Sequence, residues 1–238
     1  MDDTSLYLLI FVIVGVSVAY AIDDLAILSK GFGGLYKSNA LAANLGSTIY
    51  LFNRIFMAST LPALGYLVDS GISAKEMIIT VIIAAVLMLF LKIITYYNII
   101  RIIITLNWVA GKLYGKDRHI VDHSILLNIE YKGKINWQPV LAMIMFIASM
   151  TIPSIIAIFF FENRAFFVQL GFLFNMFGSL ITILFIERKI ALSAEKVALG
   201  DADQSSFISS ISSIILSRAL GSFIYALIMA SFLIFILE

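Results

Sequence analysis

The chain has 238 residues, of which 61% are hydrophobic and 13% charged, with a net charge of +1 and no cysteine. A soluble domain carries about 25% charged residues, so most of this surface is built to face something other than water, which excludes an ordinary soluble enzyme. The near-neutral balance gives no field to attract nucleic acid, and the lack of cysteine excludes disulfides and thiolate metal sites.

A helix needs about 20 apolar residues to cross a hydrocarbon core, and six stretches are long enough. The first covers about residues 5–28 and carries Asp23 and Asp24 near its end. It follows Asp2 and Asp3 rather than a basic segment, and no small-residue cleavage site ends it, so it reads as a retained span. Gly31, Phe32, Gly33 and Gly34 are expected to form a turn between spans, without the spacing of a dinucleotide fingerprint. The second span covers about residues 40–68, with Asn44, Asn53, Arg54 and Pro62 inside it, and the third covers 77–97. In residues 98–112, Asn98, Arg101, Thr105 and Lys112 share one helical face. That segment is too short to span and predicts an interfacial helix, or the third span running past the bilayer surface. Residues 114–137 are soluble-like, and 128–136 alternate around Gly133 as a small hairpin would. Three further spans cover 139–161, 165–186 and 207–237, with Asn175 inside the fifth and Glu187 after it. The runs are apolar all round and lack the alternation of a membrane barrel. The expected fold is all-α: a polytopic bundle of about six transmembrane helices, residues 1–238 forming one integral membrane domain with 98–137 as a cytoplasmic or interfacial insertion.

Lys30 and Lys37 fall in loop one. Lys92, Arg101, Lys112, Lys116, Arg118, Lys132 and Lys134 are assigned to loop three, and Arg188, Lys189 and Lys196 to loop five. Loops two and four hold only Lys75 and Arg164. The positive-inside rule then places the odd-numbered loops in the cytoplasm and both termini outside.

An ionisable group at mid-helix costs about 2.5–3.5 kcal/mol on insertion scales, and such groups mark function by default. Arg54 sits fifteen residues into its span, about 22 Å along the axis, which places it too deep to snorkel and suggests a cationic cavity lining for an anionic substrate. A buried ion pair or helix contact is the plainer alternative. Asn53 precedes it, and Asn44 lies two to three turns earlier. Arg218 falls either within the last span or near its cytoplasmic end, beside a stripe of Ser206, Ser210, Ser213, Ser217 and Gly221 that suits close packing or a polar groove. Asp23 and Asp24 are expected to cap the first span, since two adjacent carboxylates are poorly placed to face one partner; pairing of one of them with Arg54 or Arg218 is the alternative. Asn175 reads as a cavity group or an interhelical hydrogen bond. His119, Asp122 and His123 have metal-like spacing but no further ligand nearby, so a solvated loop is expected, with no metal and no cofactor. No Walker site, H-E-x-x-H or G-x-S-x-G is present, which leaves binding and movement of something amphipathic or anionic.

Several short patterns together resemble the Amj-type lipid II flippases. Ala21-Ile22-Asp23-Asp24-Leu25-Ala26, followed by Lys30, resembles the end of that family's first span, where Ile-Asp-Thr-Leu-Ala precedes an Arg. Phe52-Asn53-Arg54, then Pro62-Ala63-Leu64-Gly65 and Leu67-Val68-Asp69, is similar to its Ser-Arg segment and the stretch after it. Ile152-Pro153-Ser154 with Glu162-Asn163-Arg164, and Leu216-Ser217-Arg218-Ala219-Leu220-Gly221-Ser222, resemble its fourth and last spans. The order matches at both ends of the chain while the middle loop contributes almost nothing. Asp24, Lys30 and Asn53 depart from the family's Thr, Arg and Ser, and Met176 stands where a Gly is expected after Asn175. The resemblance implies movement of lipid II, an undecaprenyl-pyrophosphate lipid, from the inner to the outer leaflet of a bacterial plasma membrane. Arg54 and Arg218 would serve as forks for the pyrophosphate, Lys30 would gather headgroups, and Asn53, Asn44, Asp23, Asp24 and Asn175 would complete the polar site. A transporter of another anionic polyprenyl lipid, a membrane enzyme on lipid-linked substrates and a non-transporting scaffold remain open at this point, as does oligomeric state.

Overall fold

The computed structural model describes residues 3–35, 39–114 and 131–237. Six of its helices are long and apolar enough to cross a membrane, and no strand occurs among the described residues. Spans one to three are α1 (Asp3–Leu35), α2 (Asn39–Asp69) and α3 (Ala74–Tyr97); α4 (Ile99–Tyr114) follows after a break at Asn98. Span four is α5 (Trp137–Phe159). Span five is α6 (Arg164–Ile181), which continues without interruption through a π-helical turn (Thr182–Glu187) into α7 (Arg188–Leu199). Span six is α8 (Gln204–Leu237).

Local chemistry fixes the ends. The α2–α3 turn closes on Gly71, whose φ of 81° is a left-handed conformation that glycine adopts without a Cβ clash. The Ile72 amide donates to Leu67 O at 3.2 Å, which satisfies a carbonyl at the end of α2. Ser73 then caps α3: its hydroxyl accepts from the Glu76 amide, and Glu76 Oε2 accepts from the Ser73 amide at 3.0 Å. At Asn98 the side-chain amide donates to Ile94 O at 2.8 Å, ending α3 so that α4 departs as a separate helix.

Helix α1 packs along α2, α3 along α8, and α5 against both α6 and α8. Their buried apolar faces form two large cores and a smaller cluster of Ile27, Ala142, Ile186, Ile190 and Ile214. The first, near the termini, joins Val12, Val16, Leu67, Met77, Met88, Met143 and Tyr225. The second, toward loops one and five, joins Leu28, Leu45, Ile103, Val197, Phe207 and Ile211. The amphipathic segment expected at 98–112 is α4, with Ile99, Ile103, Leu106 and Ala110 buried in the second core and Arg101, Thr105 and Lys112 exposed. It therefore belongs to the body of the bundle.

The hairpin expected at 128–136 lies partly outside the described residues, and the part inside them is no hairpin. Residues 131–136 have no regular secondary structure and run along α8. The amides of Lys132, Lys134 and Asn136 donate to Ser209, Ser213 and Ser217 Oγ at 3.4, 2.8 and 2.8 Å. The spacing works because two extended residues advance about 6.6 Å while four helical residues advance about 6.0 Å. Two of these hydroxyls also bond within their own helix: Ser213 and Ser217 donate to the carbonyls of Ser209 and Ser213 at 2.6 Å. Thus Ser213 and Ser217 of the predicted stripe serve as acceptors for an extended segment, while Gly221 brings α5 close. A Cβ there would stand 2.7 Å from Val140 O and 2.9 Å from Met143 Cβ.

Candidate functional site: a buried charge layer and an exposed arginine

Between the two apolar cores lies a layer of four charges. Arg218 on α8 is fully buried; its Nη1 donates to Asp24 Oδ1 and its Nη2 to Asp23 Oδ2, each at 2.6 Å. Lys92 on α3, 1% exposed, donates to the other oxygen of Asp24 at 2.5 Å. Asp24 is wholly buried and Asp23 is 16% exposed. Two carboxylates against two cations make the layer neutral, the condition under which burial of charge is tolerable. Among the described residues Arg218 Nε has no hydrogen-bond partner.

Helix length explains the shared level. Counting from the ends near the termini, Asp23 lies 19 residues from Thr4 on α1, Lys92 18 from Ala74 on α3, and Arg218 19 from Leu237 on α8. Each distance is about 28 Å at 1.5 Å per residue, close to one hydrocarbon thickness. Three helices therefore carry one long apolar stretch followed by charge, and packing side by side brings the charges together.

This arrangement corrects the capping expectation for Asp23 and Asp24. Adjacent helical residues diverge by about 100°, yet a planar guanidinium offers donors along a fork, so Arg218 straddles both carboxylates with separate nitrogens. It also assigns Arg218, whose two terminal nitrogens are occupied by carboxylates rather than open to a phosphate. Lys92, expected in loop three, lies instead inside α3. The sequence carries a signal for this: the apolar run continues through Ile93 and Ile94 beyond it.

Arg54 stands elsewhere, on an exposed face of α2. Its Cζ lies 5.0 Å from the Tyr50 ring centre, and Nη2 donates to Tyr50 OH at 3.4 Å. Among the described residues no carboxylate pairs with it. Arg54 is exposed and does not line the cavity inside the bundle, contrary to the expected cavity lining. Helix α2 has 31 residues, about 46 Å, and exceeds a hydrocarbon core of about 30 Å. Arg54 stands fifteen residues from either end, about 22 Å from each, and its side chain reaches toward Tyr50, one turn nearer the Asn39 end. The apolar cavity inside the bundle, beside Val16, Met77 and Met150, holds only about 20 Å³.

The remaining candidates are dispersed. Asn53 is 7% exposed, and its Oδ1 has no partner among the described residues, whereas Asn44 and Asn175 are exposed. Lys30 pairs with Glu187 at 2.5 Å, tying α1 to the π-helical turn. At the other end of span five Arg164 pairs with Asp69 of α2 at 2.6 Å. His119, Asp122 and His123 lie outside the described residues; among the described ones no group of three or more metal-ligating side chains gathers.

Comparison with family models, with curated proteins and with solved structures finds no match.

Proposed function

We propose that this chain moves an anionic lipid between membrane leaflets rather than transforming it, and that the lipid is of the polyprenyl-pyrophosphate class, lipid II in the first instance. The observation that carries the reading is Arg54, a cation on the outer face of α2 among exposed Leu51, Phe52 and Ile55, with Tyr50 as its polar partner and no carboxylate among the described residues. Such a charge costs about 2.5–3.5 kcal/mol to hold at mid-helix, less where it snorkels, and an anionic headgroup arriving from lipid offsets that cost. The ordered resemblance to the Amj-type flippases supports lipid II among anionic lipids. On this reading the prenyl tail stays in the bilayer while the headgroup passes along the exposed face of α2. The buried charge layer holds α1, α3 and α8 in register behind it.

The skew of Lys and Arg supports a bacterial plasma-membrane orientation with odd-numbered loops in the cytoplasm and both termini outside. With Lys92 reassigned to α3, eleven cations stand on the loop-one side against Lys75 and Arg164 on the other.

The test is complementation. In a cell depleted of its own lipid II flippase, the wild-type chain restores lipid II to the outer leaflet, detected with an externally added headgroup probe. Arg54→Ala inserts and accumulates normally but does not restore it, and Arg54→Lys separates charge from the two-pronged geometry of arginine. Absence of surface lipid II with well-inserted wild type rejects lipid II as the substrate. Full activity of Arg54→Ala rejects the role of Arg54.

A further inference from the structure

Around the π-helical turn of span five, Leu184, Phe185, Arg188, Lys189, Leu192 and Lys196 line an open groove of about 320 Å³. Their spacing at three- and four-residue intervals stacks them on one side of the helix, while Ile186, Ile190, Ala194 and Val197 face the bundle and are buried. The groove carries three cations and no acid. Glu187 is engaged with Lys30, and none of the three cations has an ion-pair partner among the described residues.

Depth gives the groove its meaning. Arg188 lies 24 residues beyond Arg164, about 36 Å at α-helical rise, slightly more than the roughly 30 Å of hydrocarbon. With Arg164 at one boundary, the cations stand just past the other, at the headgroup level, and Leu184 and Phe185, each more than half exposed, reach back among acyl chains. The π-helical turn sits at that crossing, and because it shifts the register of the helix, it sets which face the cations take.

We propose that this groove is a binding site for an anionic phospholipid of the leaflet on the loop-five side, its phosphate held by Arg188, Lys189 and Lys196 and its chains lying on Leu184, Phe185 and Leu192. Charge complementarity selects the occupant: an anionic headgroup meets three cations that have no ion-pair partner among the described residues, whereas phosphatidylcholine would set its own ammonium against them. The site is separate from Arg54, which lies on α2, and stands whether or not the chain moves lipid II.

The experiment uses the purified full chain in nanodiscs of mixed phosphatidylglycerol and phosphatidylcholine, with retained lipid counted by native mass spectrometry. Wild type retains phosphatidylglycerol in preference, and each of R188Q, K189Q and K196Q lowers that preference about fivefold, the value of one cation at an anionic surface. These side chains are exposed, and elution by size exclusion confirms that each variant is folded. Unchanged preference in the combined R188Q/K189Q/K196Q variant overturns the site. An equal loss in R101Q/K132Q/K134Q, which removes three exposed cations elsewhere, reduces it to general surface charge and also overturns it. Displacement of the retained lipid by millimolar inorganic phosphate overturns the lipid as occupant in favour of a soluble anion.

Discussion

Replacing Asp24 with Asn probes the buried layer directly. Asp24 accepts from both Arg218 and Lys92, each almost completely buried. The substitution leaves two buried cations facing the single carboxylate of Asp23, so the layer changes from neutral to +1. Removing one partner of a buried ion pair costs about 3–5 kcal/mol. For a chain of this size that lowers the unfolding midpoint by roughly 6–20 °C. Lys92→Met alone leaves the layer at −1 and carries a comparable cost. Combining the two returns it to neutral, with Asp23 and Arg218 still paired at 2.6 Å, so the double variant is more stable than the sum of the single losses by about 2–3 kcal/mol. Thermal unfolding in detergent, followed by size exclusion, measures all four members of the cycle. Strict additivity, or an Asp24→Asn protein as stable as wild type, refutes the assignment of these side chains to one electrostatic unit.

Steric contacts give further expectations. Gly133→Ala places a Cβ 3.1 Å from Ser212 O and from the Tyr96 ring, lifts the extended segment off α8, and lowers stability by about 1–3 kcal/mol; Gly65→Ala, inside α2 with nothing within 4 Å, is the clash-free control and leaves stability unchanged or raises it by up to about 1 kcal/mol. Gly221→Ala pushes α5 from α8 against Val140 O, and a loss of similar size is expected. Ser73→Ala removes the cap of α3 and costs about 1 kcal/mol, checked by the same melt. Because the chain has no cysteine, single Lys75→Cys and Lys189→Cys variants report orientation without background. A membrane-impermeant maleimide added to whole cells labels the first and spares the second, and the opposite pattern reverses the orientation.

The spans are legible in the sequence because each is an apolar run of sufficient length, but their ends are less so. The first apolar run covers 5–28 while its helix reaches Leu35; the fifth covers 165–186 while its helix runs on to Leu199. Apolar length marks the part that lies in hydrocarbon, and a helix continues past it wherever one face can still be buried, as Ile190, Ala194 and Val197 are. The charge layer is half legible. Asp23, Asp24 and Arg218 stand out as charges at span ends, yet their meeting depends on tertiary packing. Lys92 is masked by its nearness to a cation-rich loop. Measuring each charge from the far end of its own helix puts all four on one level. Arg54 stands out as an intramembrane cation, but which side of α2 faces the bundle is set by neighbours that periodicity does not name.

The neutrality of that layer has a consequence for a protein that lives in an electric field. Moving one elementary charge through a membrane potential of 100 mV is worth about 2.3 kcal/mol, but the work depends on net charge. Asp23, Asp24, Lys92 and Arg218 sum to zero, so displacement of α1, α3 and α8 as one body is insensitive to voltage. Arg54 has no carboxylate to cancel it among the described residues, and is thus the group through which the potential acts on the span.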